Sequence, residues 1–65
     1  MYKNKIRKYR KERKLTLKEL DQRSGISAGY LSHLENGSRD NPSVEVMENI
    51  SIILNRSITE VFFSK

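Results

Sequence analysis

The chain is divided into short pieces by its own punctuation. Ser24-Gly25, Asn36-Gly37 and Asn41-Pro42 separate segments of apolar periodicity. Gly adopts the left-handed conformation that closes a helix, and Pro42 keeps Asn41 out of the helical region. Two four-residue signals mark helix starts. In Thr16-Leu17-Lys18-Glu19, Thr16 can cap the helix while Glu19 reaches back to the cap's N–H. Ser57-Ile58-Thr59-Glu60 repeats the arrangement. Such spacing admits only short helices joined by loops of a few residues.

The apolar residues say where the helices run. Tyr2, Ile6 and Tyr9 step by four and three, which predicts a first helix over roughly residues 2–13. A second follows Thr16, puts Leu17 and Leu20 on one face, and ends at Gly25. Ser27 caps a third that runs to about Glu35, with Ile26, Leu31 and Leu34 on its inner side. Ser43 caps a fourth over 43–54, with Val44, Met47, Ile50 and Leu54 as its buried stripe and Asn55 as its stop. The fifth, over 57–63, carries Ile58, Val61 and Phe62. No stretch alternates with period two for long enough to make a strand. The expected fold is all-α, a compact five-helix domain, single over 1–65. Its expected core is these inward residues: Ile6, Tyr9, Leu17, Leu20, Ile26, Leu31, Leu34, Val44, Met47, Ile50, Leu54, Ile58, Val61 and Phe62.

Composition narrows the function. A chain of 65 residues buries only about 60% of its unfolded surface, so its stability is marginal. The absence of Cys excludes disulfides, thiolate metal sites and a Cys nucleophile. One histidine cannot make a metal site, and no nucleophile–base pair is visible. No enzyme activity, metal, cofactor or small-molecule ligand is expected. The apolar runs fall far short of the roughly 20 residues that span a bilayer. No apolar region follows the basic N-terminus, so no signal peptide is expected. A cytoplasmic protein without a membrane partner is the expectation.

Charge is unevenly placed. The net charge is +5, and residues 1–14 hold eight Lys/Arg against Glu12 alone. Residues 41–65 hold Arg56 and Lys65 against Glu45, Glu48 and Glu60. That asymmetry suits a polyanion on one side and a neutral contact on the other. Lys5, Lys8 and Lys11 read as a solvated face contributing general field.

The second helix, the Gly25 turn and the third helix are spaced as a helix-turn-helix. Gly25 permits the reversal, Ile26 plugs the gap, and Leu31 and Leu34 pin the second helix of the motif. Its outer face is then open to a DNA major groove. With "IRKYRKERKLTLKEL", "SGISAGYLSHLENGSRDNPS" and "ITEVF" in order, the chain resembles the lambda-repressor and Cro class of helix-turn-helix domains, often called Xre-like, from about residue 5 to residue 62. The motif itself covers about 16–36. The resemblance implies operator binding as a two-fold dimer, with double-stranded DNA and a second copy of the chain as partners. It implies base-facing roles for Ser27, Ala28, Gly29, Ser32 and His33. It implies phosphate contacts from Thr16, Leu17 and Lys18 at the start of the second helix, from Tyr30, and from Asn36, Ser38 and Arg39 after the third. It also pairs Arg10 with Glu35 as a structural ion pair.

Three positions depart from that pattern. Leu17 stands where many members carry Gln, which removes a side-chain phosphate contact. Asp21 stands where a small residue is usual, so either the helix crossing opens or Asp21 finds a partner such as Arg23 or a helix N-terminus. Arg56 stands in place of an apolar residue, and its stem is expected to pack while its head snorkels. Val46, Ile52, Ile53, Phe62 and Phe63 exceed what the core needs and suggest a dimer interface far from the basic end. The expected function is a transcriptional regulator, specifically a repressor. The alternative is a protein-interaction module on the same fold, such as an antitoxin or anti-repressor.

Overall fold

The caps named from the sequence build the helix starts. The computed structural model describes residues 4–39 and 41–64; the expected helical turn at Tyr2, and Asp40 of the loop before Pro42, lie outside them. Helix α1 spans Ile6–Glu12, α2 Leu17–Ser24, α3 Ala28–Asn36 and α4 Val44–Leu54, and α5 is a π-helical turn over Thr59–Phe63. Among the described residues there is no strand. Before α2, Thr16 Oγ1 accepts the Glu19 N–H at 3.0 Å and Glu19 Oε1 accepts the Thr16 N–H at 2.8 Å. Ser57 and Glu60 repeat this at 3.1 and 3.0 Å. Ser27 caps α3 through the Tyr30 N–H at 3.2 Å, and Ser43 caps α4 through the Val46 N–H at 3.3 Å. Gly25, Gly37 and Asn55 close their helices at φ 75°, 85° and 57°.

The end of α1 is built from residues that do not advertise it. Lys14 sits in the left-handed region at φ 57°. Its N–H donates to the Lys11 carbonyl at 2.9 Å, and the Leu15 N–H donates to the Arg10 carbonyl at 3.1 Å. This pair of bonds is the Schellman closure, with a lysine in the place glycine prefers. It turns Leu15 into the core, where it is buried, although periodicity did not mark it.

The core is Ile6, Tyr9, Leu15, Leu20, Leu31, Leu34, Ile50, Leu54, Val61 and Phe62. Leu17, Ile26, Met47 and Ile58, expected inside it, are partly buried and pack at its margin. Val44 departs further and is 62% exposed. It follows the Ser43 cap directly, before α4 reaches the core. Ser51 is buried on that helix instead, its hydroxyl without a partner among the described residues. The π winding of α5 accompanies burial of two consecutive residues, Val61 and Phe62.

Helix α2 packs on α3 and α4, and α1 packs on α3, α4 and α5. The Lys5 N–H reaches the Val61 carbonyl at 2.7 Å. The basic first helix and the near-neutral C-terminal helices are therefore packed neighbours. Arg56 marks their junction. It sits 3.1 Å from Glu12 and 3.4 Å from Glu60, with its guanidinium 4.5 Å from the Tyr9 ring centre. The head stays at the surface, as expected of a snorkelling arginine. These exposed ion pairs contribute at most about 1 kcal/mol each.

Two outcomes follow for stability. Lys14→Gly removes the left-handed strain and stabilises the domain by about 1 kcal/mol in urea denaturation followed by circular dichroism. Glu19 and Glu60 are both held below the ordinary glutamate range, first by the backbone N–H of Thr16 and of Ser57 respectively. A carboxyl depressed by folding stabilises the fold above its unfolded pKa, and that contribution is lost as pH falls through the folded value. Urea titrations across acidic pH should therefore show stability falling below the ordinary glutamate range. The Glu19→Gln, Glu60→Gln double variant should fall less steeply.

Candidate nucleic-acid interface

The geometry of the α2–α3 turn is set by small polar bonds around Gly25. Ser24 Oγ accepts the Ile26 N–H at 3.0 Å, and Asn49 Nδ2 on α4 donates to the Ser24 carbonyl at 2.8 Å. Asp21 Oδ2 accepts the Ala28 N–H at 2.9 Å. Of the partners expected for Asp21, the helix N-terminus is the one it takes. Its carboxylate caps α3 and offsets the positive end of that helix.

Leu31 and Leu34 are fully buried and fix which side of α3 faces out. Ser27, Gly29 and His33 are exposed on that outer side, and Ser32 is half-buried at its edge. Ala28 is also half-buried, with its N–H already engaged by Asp21. A side chain added at Gly29 would meet nothing within 4 Å. Its smallness is therefore not required by packing within the domain.

The residues expected to meet phosphates fall into two groups. At the start of α2, Thr16 spends its N–H and its hydroxyl oxygen on Glu19. The first-turn N–H groups of Leu17 and Lys18 have no intrahelical acceptor. Lys18 is exposed, while the Leu17 side chain packs against the core. After α3, the Arg39 guanidinium lies 5.7 Å from the Tyr30 ring centre, and the Arg39 N–H donates to the His33 carbonyl at 3.1 Å. Tyr30 and Arg39 thus form one cation–π unit beside α3. Asn36 Oδ1 accepts both the Ser38 N–H at 2.9 Å and its hydroxyl at 2.6 Å.

One ion pair holds α3 in place. Arg10 Nε and Nη2 donate to the Glu35 carboxylate at 2.6 and 3.0 Å, and Nη1 donates to the Leu15 carbonyl at 2.7 Å. The two side chains are only 11% and 7% exposed. Hydrogen bonding to Glu35 raises the Arg10 pKa further, despite the opposing effect of burial. The expected structural pairing is present, and it joins α1 to the end of α3.

The residues expected at a dimer face separate. Phe62 is 1% exposed and belongs to the core, so it is removed from that set. The turn that carries it packs on α1, which leaves no outward route for its ring. Val46 and Ile53 are partly buried against the core. Ile52 at 77% and Phe63 at 61% exposure remain available. Arg7 had no assigned role beyond the basic end; it lines a groove beside α3 with Arg10 and Glu35. The signal that could have marked it is its three-residue step to Arg10, which puts both on one face of α1.

Two helices closed on each other by Gly25, with the outer side of the second left bare, define a lambda-repressor-like helix-turn-helix domain. The chain belongs to the helix-turn-helix family: the family model HTH_3 matches residues 6–61. It is 38% identical over 53 residues to the HTH-type transcriptional regulator SinR of Bacillus subtilis (strain 168), covering 82% of this chain and 48% of SinR. It is 40% identical over 57 residues to the HTH-type transcriptional regulator SlrR of the same organism, covering 88% of this chain and 38% of SlrR. The chain thus spans about half or less of the curated relatives it matches. Among solved structures, the N-terminal DNA-binding domain of SinR superposes with a TM-score of 0.79 at 37% identity, over 83% of this chain and 78% of that one. SinR in complex with DNA gives 0.80 at 37% identity, over 83% and 86% of the two chains. The family is one of DNA-binding transcription regulators and not of enzymes, in agreement with the sequence.

The ion pair carries a clear expectation. Glu35→Ala leaves the Arg10 charge nearly buried and unpaired, which costs about 3–5 kcal/mol. In so small a domain that is most of the stability, and the variant should be largely unfolded by circular dichroism.

Proposed function

We propose that the chain is a sequence-specific DNA-binding transcriptional regulator, a repressor, that binds a two-fold symmetric operator as a dimer in the cytoplasm. The observation that carries this reading is the α3 surface: pinned by Leu31, Leu34 and the Arg10–Glu35 pair, it presents an outer side with no packing duty. The DNA complex of SinR supports it. Each recognition helix enters a major groove, with half-sites about one turn, ~34–36 Å, apart. Ser27, Ser32 and His33 supply the base-facing hydrogen bonds, and Ala28 and Gly29 supply shape and close approach. No Arg, Asn or Gln stands among these five to read a base by paired hydrogen bonds, so specificity leans on DNA shape and bridging water. Lys18, the Tyr30–Arg39 stack, Asn36 and Ser38 hold phosphates. Thr16 and Leu17 contribute through the first turn of α2. Ile52 and Phe63 form the apolar centre of the contact with the second copy, with Val46 and Ile53 at its edge.

The competing reading is a protein-interaction module. SinR has also been solved in a complex with SinI, a structure that superposes with a TM-score of 0.80 at 36% identity over 85% of this chain and 53% of that one. The exposed Ile52 and Phe63 would then meet a different protein. Selection of bound duplexes from a random pool separates the two. A two-fold symmetric site should emerge; failure to enrich any sequence would sink the regulator reading. With that site in hand, Arg39→Ala should weaken all duplexes similarly, whereas His33→Ala should change the preferred bases.

A further inference from the structure

We propose that Arg7 on α1 is a phosphate clamp, placed beside the recognition helix in a groove that favours a single backbone phosphate of bound DNA. This rests on the DNA-binding reading above and extends it to a residue outside the helix-turn-helix. The groove has a volume of about 250 Å³ and is lined by Arg7, Arg10, Leu17, Ser32, Glu35 and Asn36. It lies where α1, the first turn of α2 and the outer edge of α3 meet. Arg10 and Glu35 neutralise each other there, through bonds at 2.6 and 3.0 Å. Leu17 offers no side-chain donor. Arg7 is exposed and in no ion pair among the described residues, so it gives the groove its net positive charge.

The remaining polar groups are disposed as donors. The Glu35 carboxylate, which would repel an anion, accepts from Arg10. The Asn36 oxygen accepts twice from Ser38, which leaves the amide Nδ2 as the donor end of that side chain. The Ser32 hydroxyl can donate as well. A fork-shaped guanidinium with two neutral donors beside it suits a phosphate oxygen pair. A duplex seated on Ser32 and His33 carries its backbone past this groove. Arg7 thereby sets how α1 is registered on the DNA, and it reads no base.

The test uses the full chain and the duplex recovered by pool selection, with affinity measured by fluorescence anisotropy at several salt concentrations. Arg7→Ala should make the plot of log affinity against log salt shallower by about 0.9 per chain bound, the value for one lost phosphate contact. Its preferred sequence should not change. Lys11→Ala, on the same helix but outside the groove, should change the slope less. A scan of single neutral methylphosphonate substitutions should find one phosphate whose neutralisation weakens the wild type and leaves Arg7→Ala unaffected. An unchanged slope for Arg7→Ala, a slope equal to that of Lys11→Ala, or no phosphate sensitive only in the wild type would each overturn the clamp. Failure of the wild type itself to bind any selected duplex would instead overturn the DNA-binding reading.

Discussion

The contact between Arg10 and Glu35 is the constraint on which the working surface depends. Helix α3 is short; its two buried leucines fix its rotation, and the Leu34 carbonyl at its C-terminal end accepts from Asn4 Nδ2 at 2.8 Å. Glu35 sits at that end. Arg10 grips it and the Leu15 carbonyl together, so one guanidinium joins α1, the α1–α2 connection and the recognition helix. A buried pair of this kind contributes little net stability compared with an apolar pair of the same shape. Its value lies in direction. An apolar contact tolerates sliding, whereas two hydrogen bonds from a planar fork do not.

Around that anchor the domain relies on many small, local bonds. The core is modest, as a chain of this length requires. Side-chain caps begin α2, α3 and α4, and the Ser57–Glu60 pair opens the turn into α5. Arg56 then ties the end of α4 to both α1 and α5. Because its partners are solvent-exposed, the clasp orders the surface more than it stabilises the fold.

Much of this was legible in the sequence, and the reasons differ by residue. Capping is local chemistry, so Thr16, Ser27, Ser43 and Ser57 declare themselves within four residues. Arg10 with Glu35 is a long-range pair that only the family resemblance could suggest. Leu15 escaped because its burial depends on Lys14 adopting a left-handed conformation, for which lysine gives no hint. Phe62 was read both into the core and into the dimer face, and only the core place holds, beside Val61. The π turn buries both. Val44 failed for the opposite reason: it fits the stripe, but the helix has not yet reached the core.

Asp21 has a consequence for how an anion can approach. The open N-terminus of a helix is a ready site for phosphate. Here the carboxylate of Asp21 already occupies that role at α3, 2.9 Å from the Ala28 N–H. The helix carries its own anion. An anion approaching the tip of α3 therefore finds the Ala28 N–H already taken and a carboxylate in its way.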